Sequence, residues 1–450
     1  MNRWLLVVAA SLATFVTQLD ATIVNVALPR IESSLGTSTS LVQWVVLGYL
    51  APIIGLGLCA GRWVDVVDPR RALRLACAGF ALATVGCGLA PGIGWLVAAR
   101  VAQGTFAVVL LAIAPVLATV SVQPSARGRA FGVLMLFGTT GGMTGPVVGG
   151  WIVESFGWPW IFYLSVPFVL AVAALAAREL PLGDRLVLPR RRWLVEAATF
   201  GSGTVAVLFG LSLAGSAGPM WTLVALLAVP LLAVWFRGPD AGPVRALLRT
   251  AGVLGPHVAL ALTYAGLFVL TFVLPFFLQD GLGTAPSTAG LVLLAFPVSA
   301  LVTSYGAGLV ADRVGHRRVA VAGAGVIVVG LVLLLLADGG PGDLVWRLAF
   351  VGAGFGLFNG QLQVFLMGNA PRERLGLTAA TSNLVRQLGV AFGSATGAAL
   401  WAASGSGALR RGVGLGVVLL VLVCVTLLRT GRPATKDMPA EVAGGAKESA

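Results

Sequence analysis

The sequence predicts an all-α polytopic membrane protein in which two six-helix bundles are separated by two inserted helices, giving 14 transmembrane helices. Of the 450 residues, 58% are hydrophobic and only 10% are charged, whereas a soluble protein carries about 25% charged residues. Apolar stretches long enough to cross a bilayer, about 20 residues, recur along the chain. A pattern in the first half also returns in the second half. These three observations predict the fold.

The apolar stretches predict the membrane spans in chain order. The first stretch is too long for a cleavable signal peptide and has no small-residue cleavage site, so we expect it in the mature protein. The approximate cores of the spans are residues 5–28, 41–60, 72–90, 93–121, 130–153, 159–177, 193–214, 219–236, 253–279, 287–310, 318–337, 344–369, 376–403 and 411–429.

An internal repeat divides these spans into two sets. The segment GRWVDVVDPRR at Gly61–Arg71 returns as GLVADRVGHRR at Gly308–Arg318. Six spans with loops take about 190 to 200 residues. The two copies of the repeat begin 247 residues apart, at Gly61 and Gly308, which leaves room for two more helices. We predict a first bundle over 1–178, the inserted helices and their linkers over 179–250, a second bundle over 251–430 and a disordered, Gly/Ala/Pro-rich tail over 431–450.

The basic residues predict the orientation and exclude a nucleic acid partner. Most of the 30 Lys and Arg residues lie at the N-terminus, in the loops after even-numbered spans or in the tail. This asymmetry places both termini in the cytoplasm, and we expect a multi-pass protein of a bacterial inner (plasma) membrane. The exceptions are Arg30, Arg347, Arg410 and Arg411 on the opposite side, and Arg100 and Arg386 inside spans.

Neither cysteine nor histidine suggests an enzyme. Cys59, Cys77, Cys87 and Cys424 all fall in apolar spans without the spacing of metal ligands. The two histidines lack a neighbouring carboxylate or cysteine cluster. We therefore expect no catalytic residues, no metal and no cofactor.

A glycine stripe marks the fifth span. Small residues four positions apart share one helix face and let a neighbouring backbone approach closely. Proline inside the stripe cannot donate to the preceding turn, so it predicts a bend. From the residues alone, a general packing face of small residues and a functional bend are equally supported interpretations of the stripe. The stripe contains Gly132, Gly141, Gly145, Pro146, Gly149 and Gly150, and its glycines return in the second half as Gly389, Gly393 and Gly397.

Asp20 and Arg100 are candidate proton-coupling residues. A carboxylate inside a span costs about 2.5–3.5 kcal/mol on insertion scales, which calls for a partner or a function. Counting along the first and fourth spans places Asp20 and Arg100 at matching depth, and Gln103 shares the face of Arg100. Burial favours a neutral acid and a nearby cation favours the carboxylate. Proton exchange is our preferred interpretation, with a purely structural ion pair as the alternative.

Further polar residues inside spans are candidates for the substrate cavity. Asn383, Arg386 and Gln387 share one face of the thirteenth span. No acid occupies the position in the second half that corresponds to Asp20, so we expect proton handling in the first half. The remaining candidates are Asn25, Gln103, Asn359 and Gln363, for the last two of which packing between helices is an equal alternative.

The two repeated loops form a candidate cytoplasmic gate. Each has glycine, aspartate and paired arginines, and its aspartate can pair with a loop arginine or cap a helix N-terminus. An ordinary basic loop explains the arginines but not the repeated glycine and aspartate. The gate candidates are Gly61, Asp65, Arg70, Arg71, Gly308, Asp312, Arg317 and Arg318.

Three motifs together resemble a known family. These are LDATIVNVALP at Leu19–Pro29, RVAQG at Arg100–Gly104 and the glycine stripe, and they resemble the fourteen-span drug:proton antiporters of the major facilitator superfamily. Trp63 and Asp68 depart from the family pattern, in which Leu and Gly are usual, and Phe106 stands where a small residue is usual.

The resemblance implies a function. It implies proton-coupled multidrug or antibiotic efflux by alternating access, proton coupling at Asp20, proton relay at Arg100 and export associated with the stripe. Expected partners are protons, the lipid bilayer and a small amphipathic substrate, and we expect a monomer. A proton-coupled exporter or importer of a specific metabolite or nutrient is the alternative.

Overall fold

The computed structural model describes residues 3–123, 126–180, 187–214, 219–238, 241–337, 340–371 and 374–430. All regular secondary structure in these ranges is helical, and they contain no β-strand. The predicted tail, residues 431–450, lies outside the described residues.

Helices of two lengths make up this structure. The long helices are α1 (Trp4–Leu35), α3 (Trp44–Val64), α4 (Pro69–Gly88), α5 (Ile93–Val120), α6 (Arg127–Phe156), α8 (Ser165–Glu179), α9 (Arg191–Ala214), α10 (Thr222–Arg237), α12 (Leu254–Phe276), α13 (Pro286–Val314), α14 (His316–Leu335), α15 (Pro341–Asn369), α16 (Leu375–Ser404) and α17 (Ala408–Arg429). The short helices are α2 (Thr39–Val42), α7 (Trp160–Tyr163) and α11 (Gly242–Leu248), and a π-helical turn, Phe277–Gly281, extends α12.

Most of the long helices can cross a bilayer, so the chain is a multi-pass membrane protein. Eleven segments of the described chain are sufficiently long and apolar, and one of them, Leu377–Arg429, contains both α16 and α17. The segments do not include α4, which begins with two arginines, or α10, which has 16 residues. The total of fourteen spans stays a prediction.

Two helix groups surround α1 and α12. In the first half α1 packs against α5, α6 and α8, and in the second half α12 packs against α16 and α17. Both central helices lie deep in their groups, because most of their residues are buried. This arrangement places Asp20, on α1, in the interior of the first group.

Helix α9, the first of the two helices predicted to be inserted, touches both groups. Helix α9 packs against α10, against α3 of the first group and against α16 of the second. Its approach to α3 is close, because a side chain added to Gly55 would lie 3.0 Å from the Cα of Gly201. An ion pair between Arg62 Nη1 and Glu196 Oε2, 2.5 Å long, joins α9 to the end of α3.

The two groups meet along α6 and α13. A side chain at Gly150 would collide with the backbone oxygen of Pro286, and one at Gly290 would collide with that of Pro146. Glycine is therefore required on both helices for this contact. The residues concerned lie at the end of α6 and at the start of α13, which is the predicted outer end.

Two hydrogen bonds reinforce the contact at this end. Gln279 Nε2 donates to the backbone oxygen of Val26 over 2.9 Å, and the backbone N–H of Ser287 donates to Glu154 Oε2 over 3.2 Å. Towards the opposite end of the same two helices, side chains added to glycine would meet no atom within 4 Å. These open positions are Gly132, Gly142, Gly306 and Gly308.

Candidate functional site

A buried ion pair joins α1 to α5. Arg100 Nη1 lies 2.5 Å from Asp20 Oδ2, and the exposed fractions of the two residues are 1% and 0%. The sequence places them at matching depth on helices of opposite direction, and the structure brings them into direct contact. Because water is excluded, this pair is far more strongly coupled than an ion pair on a surface.

Gln103 and Thr84 complete the hydrogen bonding of this pair. Gln103 Nε2 donates to the second carboxylate oxygen, Asp20 Oδ1, over 2.9 Å and to Thr84 Oγ1 over 2.9 Å. Its own oxygen accepts from Arg100 Nη1 over 2.6 Å. We call these four side chains, Asp20, Thr84, Arg100 and Gln103, the Asp20 network. Gln103, a predicted cavity residue, is instead fully buried inside it.

The arginine is also held by α3. Its Nε donates to the backbone oxygen of Val45 over 2.8 Å, and its Cζ lies 4.3 Å from the centre of the Tyr49 ring. Tyr49 in turn donates its hydroxyl to the backbone oxygen of Thr17 on α1. A cation over an aromatic face is stabilised electrostatically, so Tyr49 helps to hold Arg100 in this position.

Sequence reasoning missed Tyr49 and Thr84. Each lies in an apolar stretch of its helix, where a polar residue can face lipid, a packed neighbour or a polar partner. One signal is the neighbouring Gly48, where an added Cβ would lie in ordinary van der Waals contact with Arg100, so Tyr49 is next to a face of α3 that packs on α5.

The Asp20 network has no polar counterpart in the second half. Gly104 packs against the backbone of Tyr49, and Gly352 packs in the same way against that of Phe296, so the repeat is also present in three dimensions. When the two halves are aligned on Gly104 and Gly352, Phe296 takes the place of Tyr49, and Val351 takes the place of Gln103. Within the described ranges the buried charge pair therefore belongs to the first half.

The glycine stripe packs against the helix that carries Asp20. Side chains at Gly141 and Gly149 would collide with the backbone oxygens of Phe15 and Ile23, and one at Gly145 would collide with Thr22 Oγ1. In the second half Gly389, Gly393 and Gly397 pack in the same way against Ala261, Ala265 and Val269 of α12. The stripe is thus a contact face within the bundle, while Pro146 and Gly150 on its other side contact α13.

The polar candidates of the second half gather around Tyr264. Its hydroxyl donates to Asn359 Oδ1 over 3.2 Å, and its ring centre lies 5.9 Å from Arg386 Cζ. Arg386 Nη2 donates to Asn383 Oδ1 over 2.9 Å. Sequence reasoning did not single out Tyr264, although it lies at the level of the repeat where α1 carries polar residues.

Three other cavity candidates lie apart from this cluster. Gln363 donates to Ser382 Oγ over 3.2 Å, which ties α15 to α16. Gln387 is partly exposed on the turn that follows Asn383. Asn25 is buried on α1, with an exposed fraction of 8%.

The gate aspartates are exposed in this conformation. Within the described residues neither Asp65 nor Asp312 forms an ion pair. The arginines bind helix ends instead, since Arg70 Nη2 donates to the oxygen of Ala177 over 2.6 Å and Arg317 donates to the oxygens of Leu427 and Leu428. The predicted pairing at Asp65 and Asp312 is not formed here.

Two of the three departures from the family pattern have hydrogen-bond partners. Trp63 Nε1 donates to the backbone oxygen of Val187 over 2.6 Å. Asp68 Oδ1 accepts from the backbone N–H of Arg71 over 2.9 Å and thereby caps the start of α4. These contacts tie the loop after α3 to the linker before α9 and to the first turn of α4.

Comparison with known proteins identifies relatives over most of the chain. The family model described as Major Facilitator Superfamily matches residues 10–229 and 257–448. The multidrug resistance protein Stp of Mycobacterium tuberculosis (strain CDC 1551 / Oshkosh) is 28% identical over 416 residues, covering 88% of this chain and 75% of Stp. The riboflavin transporter RibZ of Clostridioides difficile (strain 630) is 25% identical over 403 residues, covering 88% of this chain and 87% of RibZ.

A solved structure of similar fold is that of a D-xylose-proton symporter. It covers 96% of this chain and 98% of the symporter, with a TM-score of 0.70 and 16% sequence identity. At this identity the likeness concerns the fold.

Proposed function

This chain belongs to the Major Facilitator Superfamily, and on that premise we propose that it is a proton-coupled efflux transporter for drugs or antibiotics. Members of this family are transporters rather than enzymes, and they handle small substrates. The finer assignment, a drug:proton antiporter with 14 spans that exports small amphipathic compounds, draws support from the name of the relative Stp and from the Asp20 network.

The observation that carries the proposal is the buried contact of Asp20 with Arg100 and Gln103. Both carboxylate oxygens accept hydrogen bonds inside a membrane helix, from Arg100 Nη1 and Gln103 Nε2. Protonation of the carboxyl group removes its charge and ends its attraction to the guanidinium group. A site of this kind holds a proton in one conformation and releases it in another, when the pair forms again.

The glycine stripe can couple the Asp20 network to movement of α1 against α6. Helix α1 carries Asp20 on one side and lies against Gly141, Gly145 and Gly149 of α6 on the other. Since glycine removes side-chain interlocking, α1 can shift along α6 when the Asp20 network is broken. In our proposal this shift is transmitted to the contact of α6 with α13, which opens and closes the predicted outer end.

The conformation described here corresponds, in this proposal, to the inward-facing state. Helices α6 and α13 are in contact at the predicted outer end, while their glycines towards the other end have open space around them. The exposed Asp65 and Asp312 are consistent with an open cytoplasmic gate, which would close when these aspartates pair with loop arginines or cap a helix.

Further proposals concern the oligomeric state, the membrane location and the domain boundaries. We propose a monomer in a bacterial inner (plasma) membrane with both termini in the cytoplasm, following the distribution of basic residues. The bundles comprise 1–178 and 251–430, and the inserted pair, 179–250, braces them through α9.

The experiment that tests this function measures export in everted membrane vesicles. Wild-type protein should accumulate a fluorescent amphipathic dye, supplied in one anionic and one cationic form, when respiration acidifies the vesicle interior, and a protonophore should abolish the accumulation. Asp20→Asn should abolish it too while inserting at normal levels, whereas Glu179→Gln, at the end of α8 and outside the Asp20 network, should leave it unchanged. Normal accumulation by Asp20→Asn would contradict the proposal.

A specific metabolite is the second candidate substrate. The relative RibZ is named as a riboflavin transporter and aligns over 87% of its length, which favours proton-coupled export or import of a metabolite or nutrient. Riboflavin transport in both everted and right-side-out vesicles separates the two functions. Uptake into intact cells driven by the proton gradient, without efflux of unrelated dyes, would favour the alternative.

A further inference from the structure

Arg386 is a cation in the interior part of α16 that lacks a carboxylate partner within the described ranges. Its hydrogen bond goes to the neutral amide of Asn383, Nη2 to Oδ1, 2.9 Å. The other contact of the guanidinium group is the ring of Tyr264, 5.9 Å from Cζ. Arg100 in the first half, by contrast, is neutralised by Asp20. The two halves therefore treat their intramembrane arginines differently.

The acidic residues of the neighbouring helices lie at helix ends. On the second-half helices that the structure describes, Asp280 lies in the π-helical turn after α12, Asp312 near the end of α13 and Asp343 at the start of α15. Asp20 is fully buried, with both oxygens already bonded in the Asp20 network. The positive charge of Arg386 is consequently available to a ligand.

An aromatic wall lies beside this charge. The ring of Tyr264 is stacked on Phe268 with centres 6.0 Å apart and planes inclined by 14°. Phe355 meets the same ring edge-on at 5.7 Å, and Phe296 lies 5.5 Å from Phe355. The wall, defined as these four rings, comes from α12, α13 and α15. A flat apolar ligand can stack on such a surface.

The charge and part of the wall are accessible: Phe268, Phe296 and Phe355 are partly exposed, whereas Tyr264 is buried, with an exposed fraction of 8%. Arg386 is partly exposed and Asn383 is exposed. On α15, next to Asn359, a side chain added to Gly360 would meet no atom within 4 Å. Asn359, which accepts from the Tyr264 hydroxyl, and Asn383, which accepts from Arg386, provide further polar groups next to this charge.

We propose that Arg386 and the aromatic wall form an anion-binding subsite, which receives the acidic group of a flat aromatic substrate while its rings stack on the wall. This inference rests on the proposed transport function and specifies its substrate class. An anion is attracted to a guanidinium group that no carboxylate neutralises, and a cation is repelled. The first half then handles the proton and the second half binds the substrate.

Binding of two dyes of similar ring system and opposite charge tests the subsite. Full-length protein in lipid nanodiscs is titrated with carboxyfluorescein, an anion, and with rhodamine 6G, a cation, and fluorescence polarisation gives each Kd. We expect carboxyfluorescein to bind at least about tenfold more tightly. Tighter binding of rhodamine 6G, equal binding of the two dyes, or no binding of carboxyfluorescein would overturn the proposal.

Variants assign any preference to Arg386. Arg386→Gln should weaken carboxyfluorescein binding about tenfold or more and leave rhodamine 6G binding unchanged or tighter, while Arg386→Lys should retain part of the preference. Phe355→Leu should weaken both dyes, because it removes a partly exposed ring of the wall but no charge. Arg410→Gln, an exposed arginine on α17, serves as the matched control and should change neither Kd. An unchanged charge preference in both Arg386 variants would contradict the assignment.

These outcomes are independent of proton coupling, since binding is measured without a gradient. Asp20→Asn should still prefer carboxyfluorescein, so a failure of proton-driven export alone leaves the subsite intact. If export proves proton-coupled but the purified protein prefers the cationic dye, the subsite fails and the transport function stands. Size-exclusion profiles check that each variant is folded. If Arg386→Gln is misfolded, the comparison is made with Arg386→Lys instead.

Discussion

Arg100 Nη1 donates to Asp20 Oδ2 over 2.5 Å and to Gln103 Oε1 over 2.6 Å, so one nitrogen of the guanidinium group links the carboxylate to the amide of Gln103. The contact is closed to water, because Asp20 and Arg100 are almost completely buried. The protein thus contains an ion pair in its apolar interior, where either charge alone would be strongly unfavourable.

The first prediction concerns the removal of one partner. Arg100→Leu should destabilise the protein by about 3–5 kcal/mol, because it leaves the Asp20 carboxylate buried without a counter-ion. Thermal unfolding of the detergent-solubilised protein, followed by intrinsic fluorescence, measures the loss. The double variant Asp20→Asn/Arg100→Leu should be more stable than the sum of the two single effects predicts. Simple additivity would show that the two side chains are not coupled.

A second prediction concerns the packing of the glycine stripe on α1. Gly145→Leu should block transport, and Gly145→Ala should already reduce it, since even a methyl group would collide with Thr22 Oγ1. Gly142→Ala is the matched control on the same helix, because open space surrounds that position. Dye export and thermal stability are measured for all three. Equal activity of Gly145→Leu and the wild type would mean that α6 and α1 do not remain in contact during transport.

The contact between α6 and α13 leads to a third prediction. Gly290→Val should disfavour closure at the predicted outer end, since its side chain would meet the backbone oxygen of Pro146. Spin labels at this end of α6 and α13 should then report a longer mean distance by electron paramagnetic resonance. Gly306→Val, placed on α13 where no atom lies within 4 Å, should leave the distance unchanged. Identical distances for both variants would show that this contact does not control closure.

Much of this arrangement could be predicted from the sequence. Asp20 and Arg100 could be paired by depth, since a helix rises by a constant amount per residue and neighbouring spans run in opposite directions. The stripe of Gly141, Gly145 and Gly149 could be assigned to one face from its spacing. Both predictions depend on regular helix geometry alone.

Other features depend on helix rotation, which the sequence does not fix. Tyr49, Thr84 and Tyr264 lie in apolar stretches of their helices, and only the packing of neighbouring helices turns them towards Arg100, Gln103 and Arg386. The same limit applies to Gln103, for which spacing indicates a shared face with Arg100 but does not distinguish an open cavity from a closed network. Asp65 and Asp312 depend on the conformational state, so their predicted pairing concerns a state other than the one described.

The most direct test of proton exchange at Asp20 is infrared difference spectroscopy of the purified protein between alkaline and acidic pH. We expect acidification to produce the carbonyl stretch of a protonated carboxylic acid in an apolar environment, and we expect Asp20→Asn to lack that band while Glu179→Gln retains it. An unchanged band in Asp20→Asn, or no apolar carboxylic acid band in the wild type across the pH range of transport, would contradict the account.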